Sequence, residues 1–95
     1  MKIQSISLRK VMLPMKTLMT PIEVLAHFDM EGKPHPLRLK LEGETVKIGV
    51  ISTTEEKLAG NKVILFRCQS EIDGILKPYE IKFELGTCKW FLWKM

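Results

Sequence analysis

Apolar and polar residues alternate along most of this chain, and the alternation is interrupted mainly at glycines and prolines. A period of two is the mark of a half-buried strand. Ile22, Val24, Ala26, Phe28 and Met30 alternate with Glu23, Leu25, His27 and Asp29. Leu37, Leu39 and Leu41 alternate with Arg38, Lys40 and Glu42. Between these runs stands Glu31-Gly32-Lys33-Pro34, which predicts a turn, and so a hairpin with one apolar face. Gly43 punctuates the pattern, and Val46, Ile48 and Val50 continue as a further strand with Lys47 facing away.

The last third carries two turn signals. Asp73-Gly74 suits a two-residue type I′ turn, which needs φ > 0 at both central positions, and Gly86-Thr87 suits a type II′ turn. The first places Cys68 opposite Tyr79, Phe66 opposite Ile81 and Ile64 opposite Phe83. The second pairs Leu85 with Cys88, and so places Phe83 opposite Trp90 and Ile81 opposite Leu92. Both registers gather apolar side chains on one face, whereas a one-residue slip moves them to the other. The opposite face then pairs Arg67 with Glu80 and Glu84 with Lys89, as a solvent-facing ladder prefers. These readings predict a three-stranded antiparallel meander.

Two segments depart from period two. Over residues 52–60, Ser52 or Thr53 fits a helix N-cap with Glu55 or Glu56 as its capping-box partner, and Gly60 fits a left-handed C-terminal stop. This predicts a short helix near residues 54–59. Over residues 2–19, Leu8, Val11, Met12, Met15, Leu18 and Met19 fit a helical stripe, but Pro14 interrupts it. Ile6 and Leu8 also alternate with polar neighbours, so a strand over residues 3–12 followed by an irregular stretch is favoured. The sum is six or seven strands and one short helix in a single β domain over residues 1–95. A lone sheet leaves an apolar face open, so a small, partly open antiparallel barrel of SH3-like or related type is expected, with a two-layer sandwich as the alternative.

Composition narrows the class of protein. A 45% hydrophobic content over 95 residues is globular rather than disordered. No apolar run is long enough for a helix to span a membrane. Arg9, Lys10 and Pro14 interrupt any signal-peptide core, so a cytoplasmic protein with no membrane contact is expected. The net charge of +4 is a mild excess that permits an anionic partner without arguing for one. Two cysteines are too few for a disulfide-stapled secreted domain, and both Cys68 and Cys88 fall on the expected core face.

Motifs for chemistry are sparse. His27, His35, Cys68 and Cys88 show no metal-ligand spacing. A cysteine nucleophile at Cys68 or Cys88 needs a base beside it, and the sequence places none there. Glu55-Glu56 belongs to the expected helix start, and Glu80 with Glu84 to a solvated face. The glycines stand singly, not in a phosphate loop. No catalytic residue, metal or cofactor is therefore assigned.

The remaining signal is the tail Lys89-Trp90-Phe91-Leu92-Trp93-Lys94-Met95. Trp90 and Leu92 point to the core face. Phe91, Trp93 and Met95 point outward with Leu65, Lys82 and Lys89, and these six residues form the candidate interaction surface. Three readings compete for it: cover by the N-terminal strand, burial in a homodimer or against another protein, and single-stranded nucleic-acid binding through stacked aromatics and lysines. A non-catalytic interaction module is the leading function, a nucleic-acid binder the second, and a small thiol-dependent enzyme the third.

Residues 50–95 also carry Glu56-Lys57-Leu58-Ala59-Gly60-Asn61, Arg67-Cys68-Gln69-Ser70, Tyr79-Glu80-Ile81-Lys82 and Cys88-Lys89-Trp90. In these the chain resembles a family of small, uncharacterised bacterial β-rich proteins of about this length. The resemblance implies a bacterial cytoplasmic protein. It implies no activity and carries over no catalytic residue.

Overall fold

The computed structural model describes residues 16–95, so the strand expected over residues 3–12 lies outside the described residues. Eight strands follow one another: β1 (Thr17–Pro21), β2 (Val24–Phe28), β3 (Pro34–Leu41), β4 (Glu44–Lys47), β5 (Gly49–Leu58), β6 (Asn61–Ile72), β7 (Ile75–Glu84) and β8 (Lys89–Lys94). They form a five-stranded antiparallel sheet in the order β1-β8-β7-β6-β5 and a three-stranded one in the order β2-β3-β4. The sheets share a core but no ladder joins them, so the expected barrel does not close.

Dipeptides ending in glycine make three of the hairpins. Glu42-Gly43, Ala59-Gly60 and Asp73-Gly74 all hold φ > 0 at both positions. This is the type I′ geometry, whose twist matches that of the flanking strands. At Asp73-Gly74 it sets the expected register, with Ile72 opposite Ile75, Cys68 opposite Tyr79 and Ile64 opposite Phe83.

The helix expected near residues 54–59 is instead the second half of β5. Gly60 does adopt φ +85°, but as the second residue of a turn and not as a helix stop. Ser52, Thr53 and Thr54 are polar or β-branched and suit a strand once β6 supplies the ladder. The segment also has no apolar stripe at helical spacing to bury.

The loop before β8 differs in form from expectation and keeps the expected register. Residues 85–88 make a four-residue loop in which Cys88 has φ +59°, and its N–H donates to the Glu84 carbonyl at 2.8 Å. A two-residue and a four-residue loop centred on one point impose the same pairing. Phe83 therefore still faces Trp90, and Ile81 faces Leu92. Cys88 is exposed in this loop rather than on the core face.

Where the N-terminal pattern suggested an irregular stretch, Thr17–Pro21 pairs with β8 as an edge strand. In the β2–β3 hairpin, Asp29 Oδ1 accepts from the N–H groups of Glu31 and Lys33, both at 2.9 Å. Its Oδ2 lies 2.9 Å from His35 Nε2. The His35 contact first, and these backbone donors after it, hold the Asp29 carboxyl down at about 2. A bulge then adds Leu37 to β3, so Pro34, Pro36 and Leu39 point inward while Leu37 turns to solvent. The two prolines occupy the part of β3 that β4 does not reach, where a missing N–H breaks no ladder on that side.

The core lies between the sheets. Leu39 and Ile48 pack against Ile64, Phe66, Cys68, Tyr79, Ile81, Phe83 and Leu92. Phe28 meets Phe83 edge-on at 5.7 Å, and Phe83 meets Trp90 at 4.7 Å. The chain crosses between sheets at Ile48-Gly49. A Cβ at Gly49 would sit 3.1 Å from the Gln69 carbonyl oxygen, so a small residue fits this corner. One polar chain also joins the layers. Ser70 Oγ donates to the Lys47 carbonyl at 2.6 Å, which leaves it to accept from the Tyr79 hydroxyl at 2.5 Å.

Candidate functional site

The outer face of the large sheet, away from the core, carries most of the candidate surface. Strand pairing sets its rows. Leu65, Lys82 and Phe91 face one another across β6, β7 and β8, with Thr54 of β5 and Pro21 of β1 at the ends. On one side lies the row Glu56, Val63, Glu84 and Lys89, and on the other Arg67, Glu80 and Lys94. A largely apolar strip is thus framed on both sides by rows that carry charges of both signs.

Lys82 lies in the middle of that strip at only 3% exposure. Its ammonium is 3.6 Å from Glu56 Oε1 and 3.6 Å from the centroid of the Trp93 ring. A cation removed from water needs such partners, and here a carboxylate and an aromatic face supply them. The aliphatic stem of Lys82 lies between Leu65 and Phe91 in the row, where it behaves as an apolar residue. Val63 is buried as well, while Leu65, Phe91 and Trp93 are half-buried. Lys89 is exposed.

Met95 does not belong to this face. Glu80 pairs with Lys94 while Ile81 pairs with Leu92, so Trp93 is the extra residue of a bulge. The bulge turns the chain by one position, and Met95 packs on the core side. The five residues that remain near the outer face differ in availability: Leu65, Phe91, Trp93 and Lys89 reach solvent, and Lys82 does not. Period-two counting missed the bulge because nothing local in Leu92-Trp93-Lys94 announces one.

At the rim, Arg67 Nε lies 3.6 Å from Glu80 Oε2, in agreement with the expected pair. Glu84 faces Lys89 in register, and its carboxylate also accepts from the Thr87 hydroxyl at 2.6 Å.

The thiols sit in opposite environments. Burial, with the Glu80 charge adding to it, pushes the Cys68 thiol up to about 12 and so keeps it protonated and inert. Cys88 is exposed in the β7–β8 loop, where its sulfur lies 3.8 Å from the Leu85 carbonyl oxygen. His27 and His35 face each other across β2 and β3, with ring centroids 6.2 Å apart. Among the described residues, no group of three or more His, Cys, Asp or Glu is placed to hold a metal ion.

A concavity of about 440 Å³ opens between the β2–β3 turn and β5–β6. Pro34, Ile64, Phe83 and Leu85 contribute apolar surface to it, and lysines and glutamates are mixed around its lining. That mixture selects no ligand charge.

Among the described residues no helix is long and apolar enough to cross a membrane. Comparison of the chain with protein-family models, curated proteins and solved structures finds no match.

Proposed function

We propose that this chain is a non-catalytic interaction module of the bacterial cytoplasm that binds protein surfaces through the outer face of its large sheet. The observation that carries the reading is the Trp93 ring seated on the buried Lys82 ammonium, with Phe91 and Leu65 beside it. An aromatic side chain already held in place loses little freedom on binding, which favours it as an anchor. The charges of Glu84, Lys89, Arg67 and Glu80 supply a polar rim around it. Two free cysteines accord with a reducing compartment.

Nucleic-acid binding is less favoured at this face. Lys82 is enclosed by Glu56 and Trp93 and has no free approach to a phosphate. The cations left beside the strip are then Lys89, Lys94 and Arg67, the last paired with Glu80. Catalysis by Cys68 is disfavoured by its buried, protonated thiol.

Trp93→Ala tests the reading. The half-exposed ring lies outside the core between the sheets, so its removal is expected to change unfolding free energy by about 1 kcal/mol. A loss of about 3–5 kcal/mol, as for a buried aromatic, makes Trp93 a core residue and overturns the proposal. Titration with mixed single-stranded DNA and RNA oligonucleotides at low salt is expected to show no binding. Salt-dependent binding that falls with Lys89→Gln and Lys94→Gln transfers the face to nucleic acid.

A further inference from the structure

The outer edge of β5 is a second surface, separate from the Trp93 face. β5 has ten residues, about 33 Å of strand, and pairs with β6 on one side. No strand covers its other side among the described residues. The remaining sheet edges are shorter: β1 and β2 have five residues each and β4 has four. No proline interrupts β5, and Gly49–Glu55 and Lys57 are exposed. An edge of this length presents unpaired N–H and C=O groups to any strand that can match it.

Turn geometry settles which groups those are. Leu58 and Asn61 flank the two-residue turn Ala59-Gly60, and such a flanking pair exchanges both backbone hydrogen bonds. Alternate residues follow, so Thr54 and Glu56 direct their backbone groups toward β6. Thr53, Glu55 and Lys57 direct theirs outward.

We infer that β5 pairs antiparallel with β5 of a second copy of this chain, with Thr54 facing Thr54 across a twofold axis. A twofold axis perpendicular to the sheet keeps each side chain on its own face, so some residue must lie opposite itself. The charges choose which one. Glu55, Glu56 or Lys57 at the axis opposes like charges directly. Thr53 at the axis sets Glu55 against Ile51 and Glu56 against Val50. Thr54 at the axis sets Thr53 against Glu55, Ser52 against Glu56 and Ile51 against Lys57, so hydroxyls meet carboxylates and no like charges face. The bulge at Ile51 ends the ladder. The product is a continuous ten-stranded sheet with both Trp93 faces on the same side. That last consequence rests on the proposed function of the Trp93 face, whereas the pairing does not.

Three substitutions test the pairing. In a Cys88→Ser background, which removes the exposed native thiol, Thr54→Cys is expected to form an intermolecular disulfide under mild oxidation. A self-facing pair that is not hydrogen-bonded brings its Cα atoms to about 4.5 Å, within disulfide range. Ser52→Cys in the same background is expected to stay reduced, because its own copy lies several residues away. Thr53→Pro removes an outward N–H and spares the ladder to β6, so light scattering is expected to show the dimer dissociation constant raised about a hundredfold or more. Equal crosslinking of Thr54→Cys and Ser52→Cys, or a monomer at every concentration, overturns the inference. A dimer that Trp93→Ala dissociates and Thr53→Pro leaves intact also overturns it, and leaves the outer-face reading standing. The crosslinking comparison decides the matter even where Thr53→Pro fails to fold.

Discussion

Tyr79 is 1% exposed, and burial pushes its phenol up to about 12 against the opposing pull of the Ser70 hydrogen bond. Its proton goes to Ser70 Oγ, whose own proton goes to the Lys47 carbonyl, so each buried polar group has a partner. Ser70→Ala leaves the Tyr79 hydroxyl and the Lys47 carbonyl without this partner. It is expected to cost about 1–3 kcal/mol in urea denaturation, and Tyr79→Phe added to it is expected to recover part of that loss. Period two placed Tyr79 on the core face opposite Cys68. It could not reveal that Lys47, well before Ser70 in the chain, lies beside Ser70 in the fold. Lys82 makes the same point from the opposite face. A lysine flanked on its own face by Glu80 and Glu84 reads as solvated, and the Glu56 carboxylate and Trp93 ring that meet its ammonium come from other strands.

At the scale of elements, β5 is the instructive case. Ser52 and Thr53 within it satisfy a helix N-cap pattern, and Gly60 just beyond it satisfies a helix stop, yet Gly49–Leu58 is a strand. Capping residues and type I′ turns draw on overlapping residue types, and a positive φ at glycine serves both. Ala59-Gly60 is resolved as a turn because β6 offers Val63–Phe66 as a partner. Gly60→Ala measures that turn. A Cβ there meets nothing within 4 Å, so the cost comes from φ +85° alone. About 1–2 kcal/mol of lost stability is expected in thermal or chemical unfolding. No loss would mean that the turn relaxes to another form. The meander β6–β7–β8 was legible because turn chemistry and apolar pattern agreed along its length. The β2–β3 hairpin was legible in outline, but its bulge reversed the expected direction of Leu37.

Across the whole molecule, stability depends on the small sheet covering the inner face of the large one. Leu39, 1% exposed, is the most deeply buried hydrophobic residue that the small sheet contributes. Leu39→Ala is expected to destabilise the fold by about 2–5 kcal/mol. Amide exchange should rise first in β2–β4, since β6 and β7 keep their neighbours in the large sheet. Uniform loss of protection in both sheets would show that the layers unfold as one unit.

What the sequence alone determined is local: the period of two, the β class, the meander register and the inward set Ile64, Phe66, Cys68, Tyr79, Ile81 and Phe83. These follow from alternation and from a turn that admits one backbone geometry, and both act over a few residues. Tertiary structure decided the rest. It kept the sheets open, made β5 a strand, exposed Cys88, turned Met95 inward at the Trp93 bulge and buried Lys82. Apart from the exposure of Cys88, which the local form of the 85–88 loop sets, each outcome depends on a neighbour distant in the chain, because an unpaired strand does not specify what lies across its edge or over its face.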